Sequence, residues 1–186
     1  PAERAIRQAH PWVFDQSIIE QSHSGVPGDL AVIFDSKRKF LAIGLYDPTS
    51  PLRVRILQKG KPAPIDGDWF QEKIKNAVEI RAPLKKQDTN GYRLINGEND
   101  GLPGLIIDRY DKTLVIKLYT PAWVPHLKEL FLALVQIQPF ERLILRLSRS
   151  LNKQPKYLYG LTNGMTITGQ TPESLLLFKE NGLIFE

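Results

Sequence analysis

Cysteine is absent from the 186 residues, methionine occurs once and histidine three times. Without cysteine there is no disulfide framework, no thiolate metal site and no thiolate nucleophile, and a cytoplasmic protein is the default reading. His10, His23 and His126 lie far apart with no ligand-spaced partner, which argues against a zinc site. No run approaches the ~18 to 20 apolar residues of a membrane span, so no membrane partner is expected. The opening residues Ala2, Glu3, Arg4 and Arg7 are too polar for a signal peptide, and a start at Pro1 reads as a trimmed terminus. No Gly-x-Ser-x-Gly elbow, internal repeat or low-complexity tract is present.

Positive charge is present in modest excess. The net charge is +5, with 9 basic and 7 acidic residues in 1–66 leaving 16 and 13 in 67–186. The excess is spread over both halves, which fits a nucleic-acid partner without demanding one.

Short strands and turns fill residues 1–66. Residues 2–8 read as a short helix that Pro11 ends. Trp12-Val13-Phe14 and Ser17-Ile18-Ile19-Glu20 look extended, and Leu30-Ala31-Val32-Ile33-Phe34 is the apolar run of a buried strand. Asp35 to Lys39 forms a hairpin tip, and Phe40 to Tyr46 returns. Residues 52–57 alternate, with Arg53 and Arg55 expected outward. Five or six strands in this length suggest a small barrel. Residues 59–67 are rich in Pro and Gly and read as a linker, so the expected domains are 1–66 and 67–186. Asp68 with Gln71 has the spacing of a capping box for the next helix.

In the second part, residues 85–91 are polar and read as loop, 113–119 as a strand, 124–137 as an amphipathic helix and 143–147 as a strand. Residues 148–169 read as a long mobile loop. Residues 175–178 and 183–185 pair as a hairpin around Asn181-Gly182.

The pivot is residues 92–110, a strand, a glycine-rich turn and a second strand. Gly97, Gly101 and Gly104 permit positive φ, Pro103 presets a turn, and Asn96, Glu98, Asn99 and Asp100 supply acceptors. Dinucleotide binding is excluded by the glycine spacing and the missing helix, and a P-loop by the missing Gly-Lys-Ser/Thr. A calcium loop would need a Glu where Ile107 stands. Glu98, Asp100 and Asp108 could be paired carboxylates, but turn caps and salt bridges are the commoner role. A structured turn that packs one domain on another is the better reading.

Candidate phosphate contacts are Lys37 and Arg38 on the hairpin tip, Arg53 and Arg55 on their strand, and Arg93 and Arg109 within the pivot. A solvated strand face and a charged turn that blocks edge pairing explain the first four equally well. Tyr46, Tyr92, Tyr157 and Tyr159 are the candidates for base stacking.

Several motifs together carry a family resemblance. They are the pivot itself, His10-Pro11-Trp12-Val13-Phe14, Gly44-Leu45-Tyr46-Asp47-Pro48-Thr49-Ser50, Arg53-Val54-Arg55, and residues 178–185. In this order they resemble S-adenosylmethionine-dependent 23S rRNA cytosine-C5 methyltransferases. Gly28-Asp29-Leu30 through Phe34 and Phe40 through Gly44 look like the core of a PUA domain. The resemblance implies an N-terminal PUA-like β-barrel followed by an α+β domain, a mixed β and α+β fold, with 23S rRNA as partner. In the family a SAM-binding catalytic domain follows, so this chain is expected to carry no catalytic residue, cofactor or metal of its own. Cytosine C5 methylation needs a nucleophile at C6, usually a cysteine, which this chain lacks. A self-contained RNA-binding or adaptor protein, or a protein-interaction module, stays open, as does a homodimer.

Overall fold

The computed structural model describes residues 2–171 and 174–186, apart from the side chain of Lys85; Pro1, read above as a trimmed start, lies outside them. A short helix α1 (Ala2–Arg7) leads into β1 (Trp12–Phe14), β2 (Leu30–Phe34), β3 (Phe40–Tyr46) and β4 (Leu52–Lys59). These strands form one antiparallel sheet in the order β1-β4-β3-β2. The expected barrel is not closed. Of residues 17–20, read as extended, Ser17 ends a 3-10 turn that begins at Asp15, residues 18–20 join no strand, and Ile19 is 99% exposed. Its side chain has nothing to pack on, so strand propensity gains no partner there.

One face of this sheet makes a small core of Ile6, Val13, Leu41, Ala42, Tyr46, Val54 and Ile56. The other face is covered only in part: β2, read as a buried strand, is an edge strand whose Leu30, Val32 and Phe34 are exposed there. Leu45 and Leu57 join the core of the second half of the chain.

That half opens with α2 (Gly67–Arg81), then β5 (Gly91–Asn96), β6 (Leu105–Tyr110), β7 (Thr113–Leu118), α3 (Leu127–Ile137), β8 (Arg142–Leu147) and β9 (Thr166–Thr168). The five strands lie in sequence order, antiparallel except for the parallel pair β7 and β8. α3 is the crossover that a parallel pair requires. Alternation along β6, β7 and β8 puts Leu105, Ile107, Leu114, Ile116, Leu118, Leu143, Leu145 and Leu147 on one face, all buried. Phe70 and Ile74 of α2 and Leu130 and Leu134 of α3 join them in a single core.

The capping-box reading fails by two residues. Asp66, not Asp68, is the N-cap, and its Oδ1 accepts the Trp69 amide at 3.1 Å. The helix therefore starts earlier and Asp68 sits exposed in its first turn. Residues 82–87 form a 3-10 turn rather than open loop. The residues before α3 also form one, at Pro121–His126, because Pro121 and Pro125 each remove an amide donor.

The expected loop 148–169 is largely structured. It makes 3-10 turns at Leu151–Lys153 and Pro155–Tyr157 and the edge strand β9, and Leu151 and Leu158 are buried in the core. Two leucines spaced seven apart are too sparse a pattern to announce this.

Finally β10 (Phe178–Glu180) and β11 (Leu183–Phe185) form a hairpin around Asn181 and Gly182, both at positive φ. Residues 175–177 are not strand. Bonds between Asn90 and Lys179 (2.9 and, through Asn90 Oδ1, 2.6 Å) fasten the hairpin beside β5.

Candidate nucleic-acid interface

The β2–β3 turn holds Lys37, Arg38 and Lys39 outward. Asp35 organises it: Oδ1 accepts the amides of Lys37 (3.0 Å) and Lys39 (2.9 Å), and Oδ2 pairs with Arg7 at 2.6 Å. Arg38 occupies the left-handed region at φ 58°. The Lys39 amide bond, with smaller help from Lys37 and Arg7, draws the Asp35 carboxyl below its ordinary pKa against the opposing effect of burial. Three cations on a tip held by one carboxylate make an exposed basic knob.

Arg53 lies at the far end of β3's neighbour, where Val54 pairs with Tyr46. Seven residues of β3 separate that end from the tip, about 20 Å of strand. Arg53 donates to the Pro48 carbonyl at 2.6 Å, sits 3.7 Å from Asp15, and lines a shallow cleft with Gln21 and Tyr46.

Arg55 was expected outward, and it is 8% exposed. Its Nη1 donates to Asp47 Oδ2 at 3.4 Å and to the Leu52 carbonyl at 3.3 Å. Asp47 Oδ2 also accepts the Thr120 hydroxyl at 2.6 Å, while Oδ1 accepts the amide and hydroxyl of Thr49. Burial draws the Arg55 pKa below its usual value and the charges of Asp47 and Glu98 oppose the shift. Arg55 is thus a tie between the two sheets and is not available to a phosphate. Alternation misled because the middle of β4 is covered on both faces.

The other two arginines diverge. Arg93 makes a two-pronged pair with Asp108 at 2.9 and 3.4 Å. Hydrogen bonding to that carboxylate raises its pKa, with burial opposing. Arg109, next to Asp108 on β6, points to the opposite face and donates to the Asp111 carbonyl at 2.7 Å. The six candidate cations therefore do not converge on one place.

The glycine-rich turn lies between the two sheets. Glu98 accepts the Trp12 indole N–H at 3.0 Å, and the Pro103 carbonyl accepts that of buried Trp123 at 2.9 Å. At Gly104 (φ 77°) a Cβ would stand 3.1 Å from Arg55 Nε. Asp100 takes Arg81 at 2.8 and 2.7 Å and the Asn96 amide at 2.6 Å, so its oxygens are committed to the turn rather than to a metal ion. Across the same seam His126 Nε2 lies 2.7 Å from the Gly28 carbonyl.

Of the tyrosines singled out for stacking, Tyr46 is buried, Tyr92 packs on the core, Tyr157 is half-buried and Tyr159 is 77% exposed. Sequence reasoning passed over Tyr119, 42% exposed at the end of β7, with Lys117 Nζ 5.1 Å from its ring centroid. Its signal was the alternation of β7, where Lys117 and Tyr119 flank buried Leu118.

The glycine turn also fails as a cradle for S-adenosylmethionine. It leads into a strand rather than a helix N-terminus, and the acceptors Glu98 and Asp100 already hold Trp12 and Arg81.

Residues 1–59 match a family described as a PUA-like domain. A Deinococcus radiodurans ribosomal RNA large subunit methyltransferase is 45% identical over 190 residues, covering 100% of this chain and 46% of the relative. A ribosomal RNA large subunit methyltransferase I from Enterobacter sp. is 34% identical over 182 residues, covering 97% and 45%. Among solved structures, a putative SAM-dependent methyltransferase from Streptococcus mutans superposes with a TM-score of 0.80 at 16% identity, covering 99% of this chain and 45% of that one. A putative methyltransferase complexed with SAH gives the same TM-score at 15% identity. These two show a shared fold. The chain spans about half the length of the relatives it matches. Along its whole length it resembles one half of the ribosomal RNA large subunit methyltransferases, and the PUA-like domain at 1–59 is consistent with their N-terminal part.

Proposed function

We propose that this chain is the RNA-holding and RNA-orienting portion of a SAM-dependent ribosomal RNA large subunit methyltransferase, with a cytosine C5 in 23S rRNA as target and the cytoplasm as location. The observation that carries the reading is the end-to-end similarity to ribosomal RNA methyltransferases together with the PUA-like match. In this reading residues 1–66 and 67–186 are the two domains, tied by the buried Asp47–Arg55–Thr120 node. SAM and the methyl transfer belong to the activity as a whole, because this chain has no cysteine to attack the pyrimidine.

Phosphate contacts come from Lys37 and Arg38 on the exposed knob, with Arg53 a secondary contact. Arg93 and Arg109 contribute through the charge of the second sheet, each already holding a protein acceptor. The test is titration with a structured rRNA fragment at about 50 and 200 mM salt, where a binder making several phosphate contacts loses affinity steeply. Lys37→Glu with Arg38→Glu should weaken binding and flatten the salt slope by about 2. An unchanged slope would remove the knob from the interface. A salt-independent affinity would favour a protein-interaction role instead.

A further inference from the structure

The second sheet has a face that no helix covers. α2 and α3 lie on the side of the core residues Leu105, Ile107, Leu114, Leu118 and Leu145. Alternation therefore turns Ile106, Val115, Lys117, Ile144 and Arg146 the other way, and all are half-exposed or exposed. Strand register arranges them in rows. Ile106 faces Lys117, which faces Arg146; one row further, Arg93 faces Asp108, then Val115 and Ile144. Among the described residues, the hairpin of β10 and β11 covers the far end of the face, where Phe178 packs on Gly91 and Tyr110.

The free end has a definite chemistry. Ile106, Val115 and Ile144 form a flat apolar floor. Asp108 is the only acid in these rows and is taken by Arg93. Lys117 and Arg146 have no ion-pair partner among the described residues. Because β7 and β8 are parallel, their carboxyl ends share one edge; the register that pairs Leu118 with Leu147 brings Tyr119 and Ser148 to that edge, and exposed Arg149 follows in the next turn.

We propose that this end of the open face binds single-stranded RNA, with a base stacked on Tyr119 and the apolar floor and phosphates held by Lys117, Arg146 and Arg149. The inference rests on the RNA reading above and adds to it a single-strand site on the open face of the second sheet. Unpaired bases have π-faces that stack on aromatic rings, and a flat sheet gives them room; a duplex hides those faces. A protein partner fits less well, since the buried centre of a protein interface is depleted in lysine, and Lys117 stands in the middle of its row.

The experiment uses the whole chain and a labelled unstructured RNA of about ten nucleotides beside a duplex of the same sequence. Tyr119→Ala should weaken single-strand binding about five-fold or more, and Tyr119→Phe should restore it, because stacking needs the ring and not the hydroxyl. Lys117→Glu with Arg146→Glu should lower the salt slope by about 2. Thermal unfolding of each variant confirms that its fold is intact. If the wild type binds neither RNA, both this inference and the proposed function fall. If it binds and only Lys37→Glu with Arg38→Glu weakens it, the open face is wrong and the proposed function stands. Sedimentation showing a concentration-dependent dimer that Tyr119→Ala disperses would make the face a protein interface and overturn the inference.

Discussion

The two sheets of this molecule are built from similar strands and meet opposite fates. The first has one face on its own small core and the other engaged at β3 and β4 against the second half through Leu45, Leu57 and Arg55, with its edge strand β2 left exposed there. The second commits one face to two helices and leaves the other half-exposed. A strand pattern of alternating polar and apolar residues therefore means different things in the two places. On β8, Arg146 faces water as its pattern says. On β4, Arg55 has the same pattern and is buried, because a second layer lies where solvent would be. Alternation reports that a strand has two sides; it does not report what lies beyond either one.

The strongest way to break this comparison is at Asp47. Asp47→Ala would leave the Arg55 guanidinium buried without its carboxylate, which costs about 3–5 kcal/mol. Urea unfolding should show this loss. Asp47→Ala combined with Arg55→Met should recover part of it, since no guanidinium is then buried without a carboxylate, while Thr49 and Thr120 still lack their acceptor. A single-variant loss below ~0.5 kcal/mol would mean that water reaches Arg55 and the seam is not sealed.

A smaller effect separates two aspartates at the start of α2. Asp66→Ala should cost about 1 kcal/mol through the lost cap on Trp69. Asp68→Ala, which removes only an exposed charge near the helix start, should cost a few tenths. Equal effects would return the cap to the position that the spacing of Asp68 and Gln71 first indicated.

The smallest effect concerns Asp35 and the basic knob. Its carboxyl is drawn below the ordinary value, so its contribution is fully present above the unfolded pKa of about 3.9 and is lost as pH falls through the lower folded value. The amide resonances of Lys37 and Lys39 should hold steady through neutral pH and move only below about pH 4. Movement near pH 5 would show that the turn is not gripped by that carboxylate.

The strands and helices of the core follow from sequence wherever apolar spacing is dense, as in β7, β8, α2 and α3. So does the Asn181–Gly182 hairpin, where two adjacent residues accept positive φ at little cost. The family resemblance was likewise written in local motifs. What sparse signals could not convey was the order in the 148–169 segment, which depends on Leu151 and Leu158 finding a distant core.

The candidate site divides in the same way. The charge of Lys37, Arg38, Arg53, Arg93 and Arg109 is a property of the sequence, as is the absence of a thiol. Tertiary structure decided that Arg55 became a tie to Asp47 and Thr120, that Arg93 was paired with Asp108, and that Tyr119, Lys117 and Arg146 came together on an open face. Residue type fixes what a side chain can bond, but long-range packing fixes whether solvent, a carboxylate or another sheet is there to meet it.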